Sequence, residues 1–357
     1  MLHPDSFAQQ YENDNANTIT WHNKLNAWVV SNYELVLAIL KNPIFSAAAA
    51  SIAHQPKVLP TSNPPNPARP RILTSLQAQQ PWSKALFIAQ TQLACHALKQ
   101  EANFDLMGDL IRPCCQKLAL QLTGCTEGDS KMLLQQAHAV FHINDDYDQA
   151  IAATQALTPY FLTLIQKRQQ SPQQDFISLL VQEDIPAPIL VSPIIQLFVG
   201  LATSLPLLLG NIFFSLWTNP SQISTYLKQP KATLNELLRY AGPAQVLYRL
   251  ALQDCNIGGH LFKRGDRIAL LLAQANYDAT KFPAAEQLDL KRQGVGQLSL
   301  GKGQHACLGM PIIRDAMELI PHTILKELPN LKPQLNRLQW GGSSTIQGLT
   351  QLPVDNL

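Results

Sequence analysis

Ser299-Leu300-Gly301-Lys302-Gly303-Gln304-His305-Ala306-Cys307-Leu308-Gly309 is the stretch on which the fold turns, a glycine-punctuated loop ending in a cysteine just before a helix-forming run from Met310 towards Leu325. A thiolate has physical reason to sit there, because the free N–H groups and dipole of a helix N-terminus stabilise a negative sulfur. Glycines also let the backbone approach a flat ligand closely. On these residues alone a plainer reading stays open, a glycine-rich turn around an inert buried cysteine. Upstream, apolar residues recur at three and four from about residue 82 to 240, as in Leu106, Leu110, Cys114, Leu118 and Leu122, and predict a helical body. Short β-prone runs at 246–250 and 267–270, set off by Gly258-Gly259 and a turn at 263–266, predict a small appended sheet. Residues 339–340 and 345–346 read as further strand pieces. The fold class expected is mainly α with small β-sheets, in a single domain over residues 1–357.

Composition narrows the function classes. Of 357 residues, 46% are apolar and 15% charged, against roughly 25% charged in ordinary soluble domains. A large core is affordable and disorder is excluded. Lys and Arg number 27 against 25 Asp and Glu, so the net charge of +2 carries no nucleic-acid footprint. None of the six cysteines stands at C-x-x-C spacing, which excludes zinc ribbons and thioredoxin-type motifs. Free thiols imply a reducing, cytoplasmic setting. Residues 189–217 are apolar enough to approach a bilayer span, but Pro193, Gln196, Thr203, Ser204, Pro206 and Asn211 interrupt them and no basic cluster flanks them. A helix buried on all sides, and no membrane, is the expectation. The first 26 residues carry Asp5, Glu12 and Asp14 without an apolar core, so no secretory leader is expected. Ser31-x-x-Glu34 reads as a capping box after the strand-like Ala27-Trp28-Val29-Val30. Residues 45–70, rich in proline, read as a long loop of the functional kind.

The spacing Gly301-x-Gly303-x-His305-x-Cys307-x-Gly309 resembles the haem-binding loop of the cytochrome P450 family, in which the cysteine is the axial thiolate of iron. Further segments follow in the family's order. Glu236-Leu237-Leu238-Arg239 is by itself an i, i+3 pair, or with Thr233 a capping box; it resembles the family's E-x-x-R, and Asp289-Leu290-Lys291-Arg292 resembles the segment that completes its structural triad. The early helix and loop are matched by the residues from Ala38 to Ser46, and the meander by Ala275-Asn276-Tyr277-Asp278 with Phe282-Pro283. Val199-Gly200-Leu201-Ala202-Thr203-Ser204 resembles the oxygen-binding segment, with Thr203 in place and Ala202 where the family has an acid.

The resemblance implies a cytochrome P450 fold holding haem b, with Cys307 on the iron and Arg71, Gly200, Arg249, Leu300, Gly301, His305 and Gly309 around the cofactor. It gives Thr203 the proton relay to dioxygen. Read without the resemblance, Arg249 is a strand arginine in a surface ion pair and Thr203 a hydroxyl bonded to its i−4 carbonyl. Departures from the pattern are Ala202, Leu300 in place of the usual Phe, a short N-terminus, and an H-x-x-x-R helix surviving only as Arg71 in Pro67-Ala68-Arg69-Pro70-Arg71. The implied activity is a monooxygenase that inserts one oxygen atom from O2 into a small apolar organic substrate. Its electrons would come from a ferredoxin or flavodoxin docking over Lys302, Arg314, Lys291 and Lys263, residues that read equally as a solvated face. Ala202 motivates one rival, a haem-thiolate enzyme using peroxide or a redox-neutral reaction; another is a haem-free partner protein of the same fold. Substrate lining is expected from residues 46–66, 245–247 and 344–346.

Overall fold

A computed structural model describes residues 19–47, 66–78 and 80–356. The readings of the first 18 residues and of the proline-rich stretch 48–65 lie outside them. Among the described residues the class is as expected, mainly helical with small sheets. Strands β1 (Thr20–His22) and β2 (Ala27–Val30) lead into helix α1 (Tyr33–Lys41) and β3 (Phe45–Ser46). The cap of α1 is not Ser31 but Asn32, whose side-chain oxygen accepts from the Leu35 N–H at 3.1 Å. Asn and Ser are near-equivalent caps, so a local pattern cannot separate neighbours. Strands β4 (Val246–Ala251) and β5 (Arg267–Leu271) complete a sheet ordered β1-β2-β5-β4-β3, antiparallel except where β2 runs parallel to β5.

The helical body comprises α2 (Arg69–Ala78), α3 (Gln80–Leu98), α4 (Arg112–Thr123), α5 (Ser130–Phe141), α6 (Tyr147–Gln170), α7 (Ala187–Val199), α8 (Leu205–Thr218), α9 (Pro230–Ala241) and α10 (Met310–Glu327). Helices α7 and α8 are halves of one apolar helix over Ala187–Thr218, joined by a π-helical turn at Gly200–Ser204. By length and composition it could cross a membrane, yet 72% of its most apolar window is buried inside the fold, as a core helix requires. Pro206 sits in the first turn of α8, where its missing N–H costs least. One large apolar cluster runs through this helix, α3–α6, α9 and α10, and a second lies under the sheet.

Near the C-terminus, strand β6 (Gln339–Gly342) pairs with β7 (Gln347–Gln351). The expected strand at 345–346 is instead the turn of this hairpin, with Ile346 making one isolated bridge to Ala244. Gly342, at φ +125°, and the hydrogen bond from Ser343 N–H to Ile346 C=O bend the chain there.

Candidate functional site

Two buried side chains, Glu236 and Arg239, and the half-buried Arg292 hold the frame behind the glycine loop. Arg239 donates to both carboxylate oxygens of Glu236 at 2.7 Å, Arg292 reaches Glu236 at 3.2 Å, and Glu236 and Arg239 are each 1% exposed. Thr233 bonds the Pro230 carbonyl, so the capping-box reading of Glu236 is overturned. Arg239 also donates to the carbonyls of Asn276 (2.9 Å) and Ala285 (2.8 Å). Asn276, 1% exposed, carries the connection forward: its oxygen accepts from Leu298 N–H and its nitrogen donates to Ser299 Oγ, both at 2.8 Å, while Ser299 Oγ donates to Leu238 C=O at 2.6 Å. Sequence reasoning singled out neither Asn276 nor Ser299 as a site residue. Asn276 lay inside a quoted segment, but nothing local shows an amide serving two partners.

From that anchor the loop turns on Gly301 (φ +66°) and Gly303 (φ +74°). A Cβ at Gly303 would stand 2.5 Å from the Leu40 carbonyl, so this glycine is required by the close approach of α1. Cys307 N–H donates to Leu300 C=O at 2.7 Å, and Gly309 caps α10. The Leu300 side chain packs half-buried against the main core. Burial pushes the Cys307 thiol up, against a hydrogen bond from Gly309 N–H and the positive charge of Arg69. The thiolate expected from the helix N-terminus alone is therefore not favoured in the bare protein, because desolvation outweighs the dipole.

Cys307 lines a cavity of about 350 Å³ together with Arg69, Gly200, Ser204, His305 and Gly309. A second cavity, about 370 Å³, is lined by Thr203, Leu247, Arg249, Thr345 and Ile346, and shares Gly200 and Ser204 with the first. This second lining includes part of what was expected from 245–247 and 344–346. A Cβ added at Gly200 would meet only Ser204 Oγ, at 3.9 Å, so the helix wall is open at this point. Thr203 lines the second cavity with its hydroxyl donated to the Val199 carbonyl at 2.6 Å. Ala202 is buried in the main core and lines neither cavity.

Two arginines and a histidine converge here. Arg249 is 3% exposed; it spends Nη1 on the Tyr248 carbonyl (2.8 Å) and leaves Nε buried without a hydrogen-bond partner. It is not in the surface ion pair of the plainer reading, and burial pushes its pKa down to about 10. His305 is held below the ordinary histidine range by burial, then by the charges of Arg249 and Arg69. Arg69 donates to the Ala306 carbonyl. Arg71, the residue carried over from the family's arginine helix, turns away and donates to the Glu183 carbonyl at 2.6 Å on the surface. Residues two apart on a helix point about 200° apart, so only one of the two arginines can face the loop, and it is Arg69.

These groups fit a flat iron group with acidic edges. A sulfur lines the cavity, a glycine opens its wall, and an orphaned guanidinium N–H with a second arginine supplies what carboxylates need. On the neighbouring surface Lys302 is lowered by burial, then by the like charges Lys41 and Arg314, so these three share a basic face. Lys263 is instead neutralised by Asp254 at 2.8 Å, and the Lys291 side chain is exposed.

The family profile "Cytochrome P450" matches residues 225–337, the span holding Glu236, Arg239, Arg292 and the cysteine loop. The chain is similar to the biotin biosynthesis cytochrome P450 of Bacillus subtilis, 27% identical over 365 residues and covering 93% of this chain and 90% of that protein. It is also similar to the cytochrome P450 monooxygenase PikC of Streptomyces venezuelae, 26% identical over 356 residues and covering 92% and 84%. Among solved structures, P450BioI bound to an acyl carrier protein ligated with hexadec-9Z-enoic acid superposes with TM-score 0.83 at 24% identity, covering 95% of each chain. CYP109B1 from Bacillus subtilis gives TM-score 0.81 at 21% identity, covering 98% and 97%.

Proposed function

We propose that this chain, which belongs to the cytochrome P450 family and is a haem b oxidoreductase of the monooxygenase type, acts as one domain over residues 1–357 on a small apolar organic substrate with Cys307 as its iron ligand. The observation that carries the reading is the convergence of Cys307, Gly200, Arg69 and His305 on one cavity, with Arg249 on the adjoining one. Haem bound there would supply the activation of dioxygen.

The chain's own groups do the rest. The Gly309 N–H and Arg69 stabilise negative charge on Cys307 Sγ. Arg249, Arg69 and His305 would hold the acidic edges of the cofactor. Gly200 allows close approach on the helix side, and the π-helical turn at Gly200–Ser204 carries Thr203 beside it. Thr203 Oγ1, now donating to Val199 C=O, can swing its proton into the cavity and take a replacement from water. The substrate lies against Leu247, Val199, Ile195 and Ile346. Electrons arrive from a ferredoxin or flavodoxin whose acidic face meets Lys302, Lys41 and Arg314, in the cytoplasm.

A second reading, oxidation by peroxide or a redox-neutral reaction, is favoured by Ala202, which leaves Thr203 without an acidic neighbour. Labelled dioxygen separates the two. With a ferredoxin, its reductase and a substrate found by spin-state shift, the first reading gives product carrying one atom from 18O2, and Thr203→Ala diverts electrons to peroxide. Unlabelled product, or faster turnover with added peroxide alone, selects the second.

A further inference from the structure

When O2 gives one atom to a product, the other leaves as water, which takes up two electrons and two protons. The chain offers no carboxylic acid to carry those protons. Among the described residues lining the cysteine cavity, the Thr203 cavity and a third cavity of about 150 Å³, there is no Asp or Glu, and Ala202 borders none of them. His305 borders the first and third but not the cavity of Thr203. A hydroxyl is left to do this work.

Ser204 is placed for it. Among the described residues it is the one hydroxyl that borders both the cysteine cavity and the Thr203 cavity. It is half-buried, and its Oγ donates to the Gly200 carbonyl at 3.1 Å, beyond the usual O–H···O range, whereas Thr203 holds the Val199 carbonyl at 2.6 Å. The Gly200 carbonyl also accepts the Leu205 N–H of the π-helical turn, so it keeps a donor when the hydroxyl turns away. Of the two hydroxyls, that of Ser204 is the more easily released.

Resupply comes from the other side of Gly200. Gln196 stands one helical turn before this glycine and Ser204 one turn after it, on a single stripe of the helix. No side chain separates them, since even a Cβ at Gly200 would meet only Ser204 Oγ, at 3.9 Å. Gln196 is exposed and borders all three cavities; its nitrogen donates to Ser192 Oγ at 3.2 Å, and its oxygen accepts from no described residue. The third cavity, with Asn66, Ser192, Gln304 and His305 in its wall, is polar and roomy enough for water.

We propose that Ser204 is a further catalytic residue, a proton-donating hydroxyl that does the work of the acid absent beside Thr203, with Gln196 as the positioning residue for the water that recharges it. The Ser204 O–H bond breaks as its proton passes to the oxygen being reduced, and a water held at Gln196 Oε1 returns a proton to Ser204 Oγ. Solvent restores that water, so both residues end unchanged, and the electrons are those of the ferredoxin or flavodoxin. The inference rests on the monooxygenase reading and deepens it by naming the proton path.

The test uses haem-loaded protein whose reduced carbon monoxide spectrum is recorded first, so failure of thiolate ligation is seen before any variant is compared. Infrared spectroscopy of the same complex reads the hydroxyl without turnover. A donor facing bound carbon monoxide lowers its stretching frequency, so Ser204→Ala moves the band up and Ser204→Thr, which keeps a hydroxyl, returns it towards the wild-type position. With a ferredoxin, its reductase and 18O2, Ser204→Ala lowers the rate of labelled product about a hundredfold, the low end of what a positioned proton donor contributes, and Ser204→Thr recovers most of it. Gln196→Leu lowers the rate by a smaller factor and leaves the infrared band in place. Wild-type protein that gives only unlabelled product counts against the monooxygenase reading, and the infrared comparison still decides whether Ser204 faces the reacting position. If Ser204→Ala leaves the band or the rate at its wild-type value, if Ser204→Thr restores neither, or if Gln196→Leu turns over as fast as wild type, the inference is overturned.

Discussion

Two groups of arginines, one behind the cysteine loop around the buried Arg239 and one in front of it around the buried Arg249, behave in opposite ways. Behind it, Arg239 is met by a carboxylate and several carbonyls and Arg292 by the same carboxylate, so the charges are compensated within the chain. In front of it, Arg249 keeps a bare N–H in the interior, the half-buried Arg69 donates to the Ala306 carbonyl, and the charges of both push the His305 pKa down. Buried charges that are paired build a frame, whereas buried charges left unpaired mark where a ligand completes the structure. The first set should therefore report on stability and the second on cofactor retention.

The sharpest separation comes from Glu236. Removing it strands two arginines, and Glu236→Ala is expected to lose about 3–5 kcal/mol and to yield aggregated or haem-free protein, measured by denaturant melts and by haem content. A near-normal melt would erase the distinction between the two sets. Arg249→Leu is expected to do the reverse. The haem-free protein melts no lower than wild type, because an undersatisfied buried charge is gone, while haem affinity falls about tenfold to a hundredfold with a charge-assisted bond worth roughly 1.5–3 kcal/mol. Apomyoglobin capture of the haem measures that loss.

Smaller still is the contrast between Arg69 and Arg71. Arg69→Ala should speed haem loss, whereas Arg71→Ala, which removes a surface bond to the Glu183 carbonyl, should stay within about 0.5 kcal/mol in stability and leave haem retention unchanged. Equal effects would return the role to Arg71.

The smallest effect concerns an acid of α10. Asp315 is buried, has one oxygen 3.4 Å from Lys84 Nζ and the other unpartnered, and burial raises its pKa. An acid raised by folding binds its proton more tightly in the folded state, so its contribution is favourable at low pH and is lost as pH rises through the folded value. Asp315→Asn should thus raise the melting temperature slightly at neutral pH and leave it unchanged in mild acid; a lower melt at pH 7 would mean the Lys84 pair outweighs desolvation.

How much of this was legible in the sequence follows from distance along the chain. The cysteine loop and Glu236-x-x-Arg239 are local spacings, and each is found where its spacing said. The choice of Arg69 over Arg71 is set by which helix face meets Ala306, over two hundred residues away, and no spacing encodes that. The same holds for Asn276, whose two bonds tie the triad to the loop. Thr203 was legible as a residue, and its plainer reading, a hydroxyl bonded to the i−4 carbonyl, is the bond to Val199 found in the structure. Ala202, expected to mark a weakened relay, is buried in the main core beside Thr203 and lines neither cavity.

The central claim is that Cys307 holds the iron, and the reduced carbon monoxide spectrum tests it most directly. Wild-type protein reconstituted with haem should give the long-wavelength absorption of a thiolate ligand, and Cys307→His should bind haem but give the shorter-wavelength band of a histidine ligand. A wild-type spectrum of the histidine type, or a thiolate band persisting in Cys307→His, would contradict the account.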